Sequence, residues 1–357
     1  MDILLYPYLP LTNRRTVGGW QVIPIAEVES DDLVNDFAGR AVEGLGRLYE
    51  VEGMQLPLGA VARPPDGAIG DDFELSAMRT LGRALLVGLL DTNPDFLAKG
   101  EEPLGNLGHG TVTSDNALGY GHPVQPDGGV AVEYGYMSRK LVGGLSIDDD
   151  HHKIHEPIEL PTPMLSKDFE GYYADAAHRT LDRDTEESRR LGRAIDWLGI
   201  AWRNSESLRI DMRIVALRTS FEVLLGAEVG ELKELRLLLS QLLDPDDAKR
   251  TSRTWPGGKG KPITGDLTEL EWWFTQFSLL RNAIVHGDEL EEDRYEFEGK
   301  SQLWLGEARL REAITEVIAE AGFPDVKLDY GLRVIREAFR SSGLNPDTGE
   351  PLEGDDG

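Results

Sequence analysis

Apolar residues follow two different periods along this chain, and the change between them divides it into two halves. In the first half, short segments rich in β-branched and aromatic residues and bounded by glycine or proline predict strands. These segments are 20–28, 130–137 and 140–147. Apolar residues at three-to-four spacing predict helices at 31–50 and 73–91, whereas the Gly-, Asn- and Pro-rich segment 103–129 is interpreted as a loop. Residues 1–165 are therefore predicted to form an α+β domain.

Helical periodicity dominates the second half. Two prolines within 158–166 indicate a boundary between domains. Beyond it, apolar stripes predict five helices, at 185–203, 207–226, 231–243, 269–286 and 307–321. Such stripes favour antiparallel packing around one core, so residues 166–330 are predicted to form an all-α helical bundle. Residues 331–357 are predicted to add one more helix and a disordered acidic tail.

Composition restricts the possible chemistry. The chain has no cysteine, which excludes disulfides, thiolate nucleophiles and Cys-ligated zinc. No apolar run reaches the length of a membrane span and the first residues lack the basic region of a leader, so we expect a soluble, cytoplasmic protein with no membrane partner. The 64 acidic residues exceed the 37 lysines and arginines, giving a formal charge of −27. Because this charge repels polyanions at long range, any RNA site must overcome it locally.

The helix predicted at 269–286 is apolar along most of its length but ends in polar side chains. Arg281 lies on the apolar stripe, where a charge is costly unless it faces a partner, a cleft or an interface. Asn282 and His286 share one helix face, whereas Arg281 and His286 are five residues apart, about 140° around the helix. Two copies related by a two-fold axis can direct both toward one point more easily than one copy can. Gly287 then supplies the positive φ that ends the helix.

The segment RNAIVHG resembles the R-x(4–6)-H signature of HEPN domains. With the earlier helical segment IVALRTSFEVLLG, it makes the region 185–322 similar to the Apea-like branch of that superfamily. The resemblance implies an all-α HEPN-type bundle, a homodimer formed through the motif helices, and metal-independent endoribonuclease activity of the kind found in phage defence, toxin and RNA-processing systems. We predict no cofactor. Because the superfamily includes members that have lost catalysis, the alternative is an inactive module that binds a nucleotide, RNA or a protein.

The side chains suit this reaction on chemical grounds. Attack of an RNA 2′-hydroxyl on the adjacent phosphate needs proton transfer and neutralisation of the transition state, and leaves 2′,3′-cyclic phosphate and 5′-hydroxyl ends. We assign His286 as general acid/base, Arg281 as phosphate clamp and Asn282 as an orienting donor. Glu222 is predicted to pair with Arg281 or to orient the site. In the structural alternative, Arg281 pairs with Glu222 or Asp288, and His286 caps the helix carbonyls.

Two charged segments flank the motif helix. Residues 248–262 contain basic and aromatic side chains but no acid: Lys249, Arg250, Arg253, Trp255, Lys259 and Lys261. As a flexible loop, this segment would follow a phosphate backbone and stack a base; the alternative is a solvated loop with no ligand. The segment 287–298 has seven acids and one arginine. We expect its repulsion to narrow the RNAs accepted, or to keep the site inactive until a regulatory partner moves it.

One further cluster resembles a metal site. His151 and His155 are four residues apart, the spacing that places two imidazoles on one helical face for zinc. Because Pro157 follows closely, a solvated turn is the preferred interpretation, and a metal-dependent activity is only the third hypothesis. No P-loop, dinucleotide fingerprint or hydrolase elbow occurs. The first 165 residues are assigned a sensing, regulatory or recruiting role.

Overall fold

The computed structural model of the chain describes parts of the predicted first half, up to residue 123, and most of the second half. The described residues are 2–6, 9, 11, 13–30, 59–65, 67, 74–90, 117, 119–123, 171–202, 208–226, 232–244, 249–256 and 261–326. The predictions for 31–50, 130–137, 140–147 and 331–357, and for His151 and His155, lie outside them. No helix among the described residues is long and apolar enough to cross a membrane.

The first unit contains a five-stranded antiparallel sheet with the order β2-β3-β4-β1-β5. Its strands are β1 (Asp2–Tyr6), β2 (Arg15–Val17), β3 (Trp20–Pro24), β4 (Ala60–Arg63) and β5 (Tyr120–Pro123). Leu4, Leu5 and Tyr6 are all fully buried, so both faces of the inner strand β1 are covered. β5 lies within the segment interpreted as a loop, and that interpretation is wrong at 120–123. Among the described strands β5 is an edge strand, and an edge strand tolerates glycine and proline because it pairs along one side only.

Two helices pack together in this unit: α1 (Leu75–Gly88), as predicted, and α2 (Gly171–Leu181), which the sequence did not predict. The backbone N–H of Gly18, in the β2–β3 turn, donates to Asp175 Oδ1 on α2 at 2.9 Å. The ring of His178 occupies the space where a Cβ on Gly18 would lie. Because α2 packs here, the first unit extends to Arg183, beyond the boundary predicted at residue 165.

The second unit, from Asp184 onward, is mostly helical. Its helices are α3 (Glu186–Ala201), α4 (Ile210–Leu225), α5 (Leu232–Leu243), α6 (Glu269–His286) and α7 (Gln302–Glu320). All five predicted helices are confirmed, although α7 begins earlier than expected. The unit is not all-α, because two antiparallel hairpins join its helices. They consist of β6 (Thr251–Pro256) with β7 (Pro262–Leu267), and β8 (Glu296–Phe297) with β9 (Lys300–Ser301).

Aromatic side chains hold α4 against α6. Phe221 on α4 meets the edge of Phe274 on α6 at a centroid distance of 5.4 Å, and it also contacts Trp273 and Phe277. On α7, a Cβ at Gly306 would lie only 3.0 Å from Phe277 Cζ. The missing side chain therefore leaves room for the Phe277 ring of α6 against α7.

Candidate functional site

The predicted site residues lie on the last two turns of α6, where the helix leaves the core. Phe277 and Leu280 are buried, whereas Asn282 and His286 are exposed and Arg281 is half-buried. Val285, which precedes His286, is 54% exposed despite its apolar side chain. The helix therefore presents a mixed polar and apolar end to solvent, within one copy of the chain.

Gly287 ends α6 in the left-handed conformation, with φ of 74°, as predicted. Its N–H donates to the Ile284 carbonyl at 3.1 Å, and the N–H of Asp288 donates to the Ala283 carbonyl at 3.0 Å. These two bonds form a Schellman motif. They satisfy carbonyls at the end of α6 that His286 would cap if its role were structural. Among the residues that the structure describes, the side chain of His286 has neither a hydrogen bond nor an ion pair.

Arg281 is joined to its neighbour in sequence. Its Nη1 donates to Asn282 Oδ1 at 3.1 Å, while its Nε is buried and has no hydrogen-bond partner in the described part of the chain. Within the same residues it forms no ion pair, so the pairing with Glu222 or Asp288 considered from the sequence is wrong. The structure therefore joins the side chains of Arg281 and Asn282, and among the described residues no side-chain hydrogen bond links either of them to His286.

Glu222 pairs instead with Arg218, a residue that the sequence analysis missed. Glu222 Oε1 lies 3.0 Å from Arg218 Nη1, one helical turn away on α4. The contact is an ion pair by distance, but its angles are not those of a hydrogen bond, since Arg218 Nη1 lacks a hydrogen-bond partner. Arg218 Nε donates to Ser278 Oγ at 2.8 Å, and its guanidinium lies 4.8 Å from the centre of the Phe274 ring. Arg218 is thus held by both α4 and α6.

Arg218 also differs from most arginines in its burial, being only 5% exposed. Burial lowers its pKa to about 10, the Glu222 carboxylate opposes this shift, and the nearby positive charge of Arg281 adds to it. Arg218 therefore remains charged at neutral pH, and the two guanidiniums lie close enough to interact. A signal was present in the sequence: Arg218 lies between Ile214 and Phe221 at helical spacing, on an apolar stripe.

The acidic segment after α6 returns to the start of α4. Tyr295, at the end of a short 3₁₀ turn (Glu292–Tyr295), donates its hydroxyl to Asp211 Oδ1 at 2.5 Å. Burial and this hydrogen bond raise the pKa of Tyr295 to about 12. The hydroxyl consequently stays protonated near neutral pH, and the bond keeps this segment beside α4.

The basic segment before α6 is not the flexible loop predicted from the sequence. Much of it belongs to the β6–β7 hairpin, in which Trp255 is only 7% exposed and lies under the guanidinium of Arg236 at 5.1 Å. The predicted base-stacking role of Trp255 is therefore wrong for this conformation, because neighbouring side chains cover its ring. Arg253 likewise lies over a protein ring, 5.5 Å from the centre of Trp272.

Arg250 fixes this hairpin to the start of α6. Its Nη1 donates to Glu271 Oε2 at 2.9 Å, and Glu271 also accepts from the Thr268 N–H in a capping box. Arg250 therefore has a structural partner that the RNA-binding prediction did not anticipate. Lys249 and Lys261 are exposed, whereas Lys259 lies outside the described residues.

The described residues hold no group of three or more histidines and carboxylates that could bind a metal ion. Comparison of the chain with protein-family models, with curated proteins and with solved structures finds no match. The resemblance to HEPN domains therefore depends on the residues of α4 and α6 alone.

Proposed function

We propose that the chain is a metal-independent endoribonuclease whose site lies at the C-terminal end of α6. One observation carries the proposal: a core helix ends at the surface with two side chains that lack partners among the described residues. The arginine has no carboxylate partner, and the histidine side chain has neither a hydrogen bond nor an ion pair. Unpaired charged and titratable side chains at the end of a helix that is anchored in the core are typical of a site that acts on a ligand. A structural role would instead be expected to pair them.

The chemistry of these groups matches RNA cleavage by the neighbouring 2′-hydroxyl. The 2′ oxygen forms a bond to phosphorus as the bond from phosphorus to the 5′ oxygen breaks, so the products carry 2′,3′-cyclic phosphate and 5′-hydroxyl ends. His286 takes the 2′-hydroxyl proton as general base, and the resulting imidazolium returns a proton to the departing 5′ oxygen as general acid. Arg281 neutralises the charge that develops on the phosphate oxygens, with Asn282 fixing its orientation. Arginine and histidine thus supply both the charge and the proton transfer.

The proposed site is shared between two copies of the chain. Arg281 and His286 are five residues apart on one helix and diverge by about 140°. A two-fold axis beside the exposed turn of α6 would place Arg281 of one copy near His286 of the other. The exposed Val285 supports this arrangement, because its apolar side chain lies within the surface that the second copy would cover.

The decisive experiment compares purified wild type with Arg281→Ala and His286→Ala on mixed RNAs in EDTA. We expect cleavage by wild type alone, with cyclic-phosphate and 5′-hydroxyl ends. Loss of activity in properly folded variants, checked by circular dichroism, would assign both residues to the site. Cleavage that both variants retain, or products with 5′-phosphate ends, would refute this mechanism. Absence of cleavage by wild type would favour the inactive binding module.

A further inference from the structure

Two arginines and one carboxylate lie together where α4 faces α6. The carboxylate of Glu222 lies 3.0 Å from Arg218 Nη1, while the Arg281 side chain is close enough for its charge to act on Arg218. Ser278, which binds Arg218, precedes Arg281 by one turn on the same face of α6. At neutral pH the three side chains carry a net positive charge, in a protein whose formal charge is −27.

The position of Arg218 is determined more tightly than that of Arg281. Arg218 is buried and has contacts with Phe274, Ser278 and Glu222, so its guanidinium cannot turn to solvent without losing all three. The Arg281 side chain has one hydrogen bond among the described residues, to the neutral oxygen of Asn282. Glu222 is thus paired with the buried Arg218. The half-buried Arg281 keeps a positive charge that no carboxylate among the described residues neutralises.

We propose that Arg218 is a positioning residue for the site: by holding Glu222 in an ion pair, it leaves Arg281 free to bind a phosphate of the RNA. The inference depends on the proposed function, because the anion that Arg281 receives is the substrate phosphate. Without Arg218, Glu222 would be an unpaired carboxylate on α4. We expect it to pair with Arg281, and that ion pair would block the phosphate. Arg218 acts through Glu222 and does not itself touch the RNA.

The test uses a double-mutant comparison with a ligand that cannot be cleaved. Wild type, Arg218→Met, Arg218→Lys and the double variant Arg218→Met with Glu222→Gln are titrated with a short 2′-O-methyl oligouridylate. Methionine keeps apolar contact with Phe274, while lysine keeps the positive charge. Arg218→Met should weaken binding about tenfold or more, because Glu222 now competes for Arg281. The lysine variant and the double variant should bind within about threefold of wild type.

The dependence of affinity on salt separates this role from a merely structural one. Loss of one phosphate contact lowers the slope of log affinity against log salt concentration by about one. We expect this reduction in Arg218→Met and its recovery in the double variant. A structural role for Arg218 predicts that the double variant binds no better than Arg218→Met, because Glu222→Gln restores no packing. That result would overturn the inference.

Glu222→Gln alone tests the inference if Arg218→Met does not fold. Removing the carboxylate makes the site more positive, so binding should tighten about two- to threefold; unchanged or weaker binding contradicts the inference.

Parallel cleavage assays separate the two proposals. If the double variant recovers binding but wild type cleaves no RNA, the nuclease proposal is refuted and the role of Arg218 stands. If wild type cleaves RNA but the double variant does not recover binding, the role of Arg218 is refuted and the nuclease proposal stands. Absence of both binding and cleavage by wild type refutes both.

Discussion

Arg281 and Asn282 are joined by a hydrogen bond from Nη1 to Oδ1, 3.1 Å long, so two neighbouring residues of the proposed site orient each other. The acceptor is a neutral amide oxygen, which fixes the guanidinium without cancelling its charge. An aspartate at the same position would have nearly the same shape but would carry a negative charge. The choice of asparagine therefore affects how strongly Arg281 attracts an anion.

This relationship predicts a large effect of Asn282→Asp. The new carboxylate should pair with Arg281 and reduce RNA affinity about tenfold, equivalent to about 1.4 kcal/mol. Asn282→Ala is the matched control, because it removes the hydrogen bond without adding charge and should cause a smaller loss. Binding is measured with the uncleavable oligouridylate. Equal affinities for the two variants would show that charge at this position is irrelevant.

The shared site predicts complementation between inactive variants. Arg281→Ala retains His286, and His286→Ala retains Arg281, so a mixed dimer contains one complete composite site. Random exchange of subunits in an equal mixture should restore about a quarter of the wild-type cleavage rate, since half the dimers are mixed and each has one intact site. Cleavage by the separate variants gives the baseline. No recovery after demonstrated subunit exchange would place both residues of each site on the same copy.

The β6–β7 hairpin predicts that Trp255 and the exposed lysines have different roles. Trp255→Ala should lower the free energy of unfolding by about 3–5 kcal/mol, because it empties a covered position. Lys249→Ala combined with Lys261→Ala should change stability by less than about 0.5 kcal/mol but weaken RNA binding. Urea denaturation and oligouridylate titration measure the two effects. A Trp255→Ala protein of normal stability that fails to bind RNA would restore the base-stacking role.

The burial of His178 predicts that the stability of the first unit depends on pH. Burial lowers the pKa of His178 below its ordinary value of 6.5, although Asp182 and Asp175 oppose the shift. The unfolded chain therefore takes up the proton first, so the contribution of His178 to stability is present above about pH 6.5 and is lost as the pH falls through the lower folded-state pKa. Urea denaturation between about pH 7.5 and 5.5 should show a smaller decrease for His178→Gln than for wild type. Identical profiles would exclude this contribution.

The helices of the second unit were predictable because each carries enough apolar residues at helical spacing to indicate its buried face. The β6–β7 hairpin was not, since most of its side chains are exposed and no apolar alternation indicates strands. The partner of Glu222 was assigned wrongly for a different reason. Arg218 and Arg281 both lie on apolar stripes, and only the packing of α4 against α6 determines which of them pairs with Glu222.

The two ends of α6 are held very differently, and this has a consequence for its local stability. The start is fixed by the Thr268–Glu271 capping box and by Arg250, whereas the last turn extends beyond the core. Amide hydrogens should therefore exchange with solvent more slowly near Phe274 than near Val285, because opening the exposed turn disrupts few buried contacts. A second copy that covers this turn would slow exchange there first. The amides of this turn thus offer a local reporter of assembly that does not depend on catalysis.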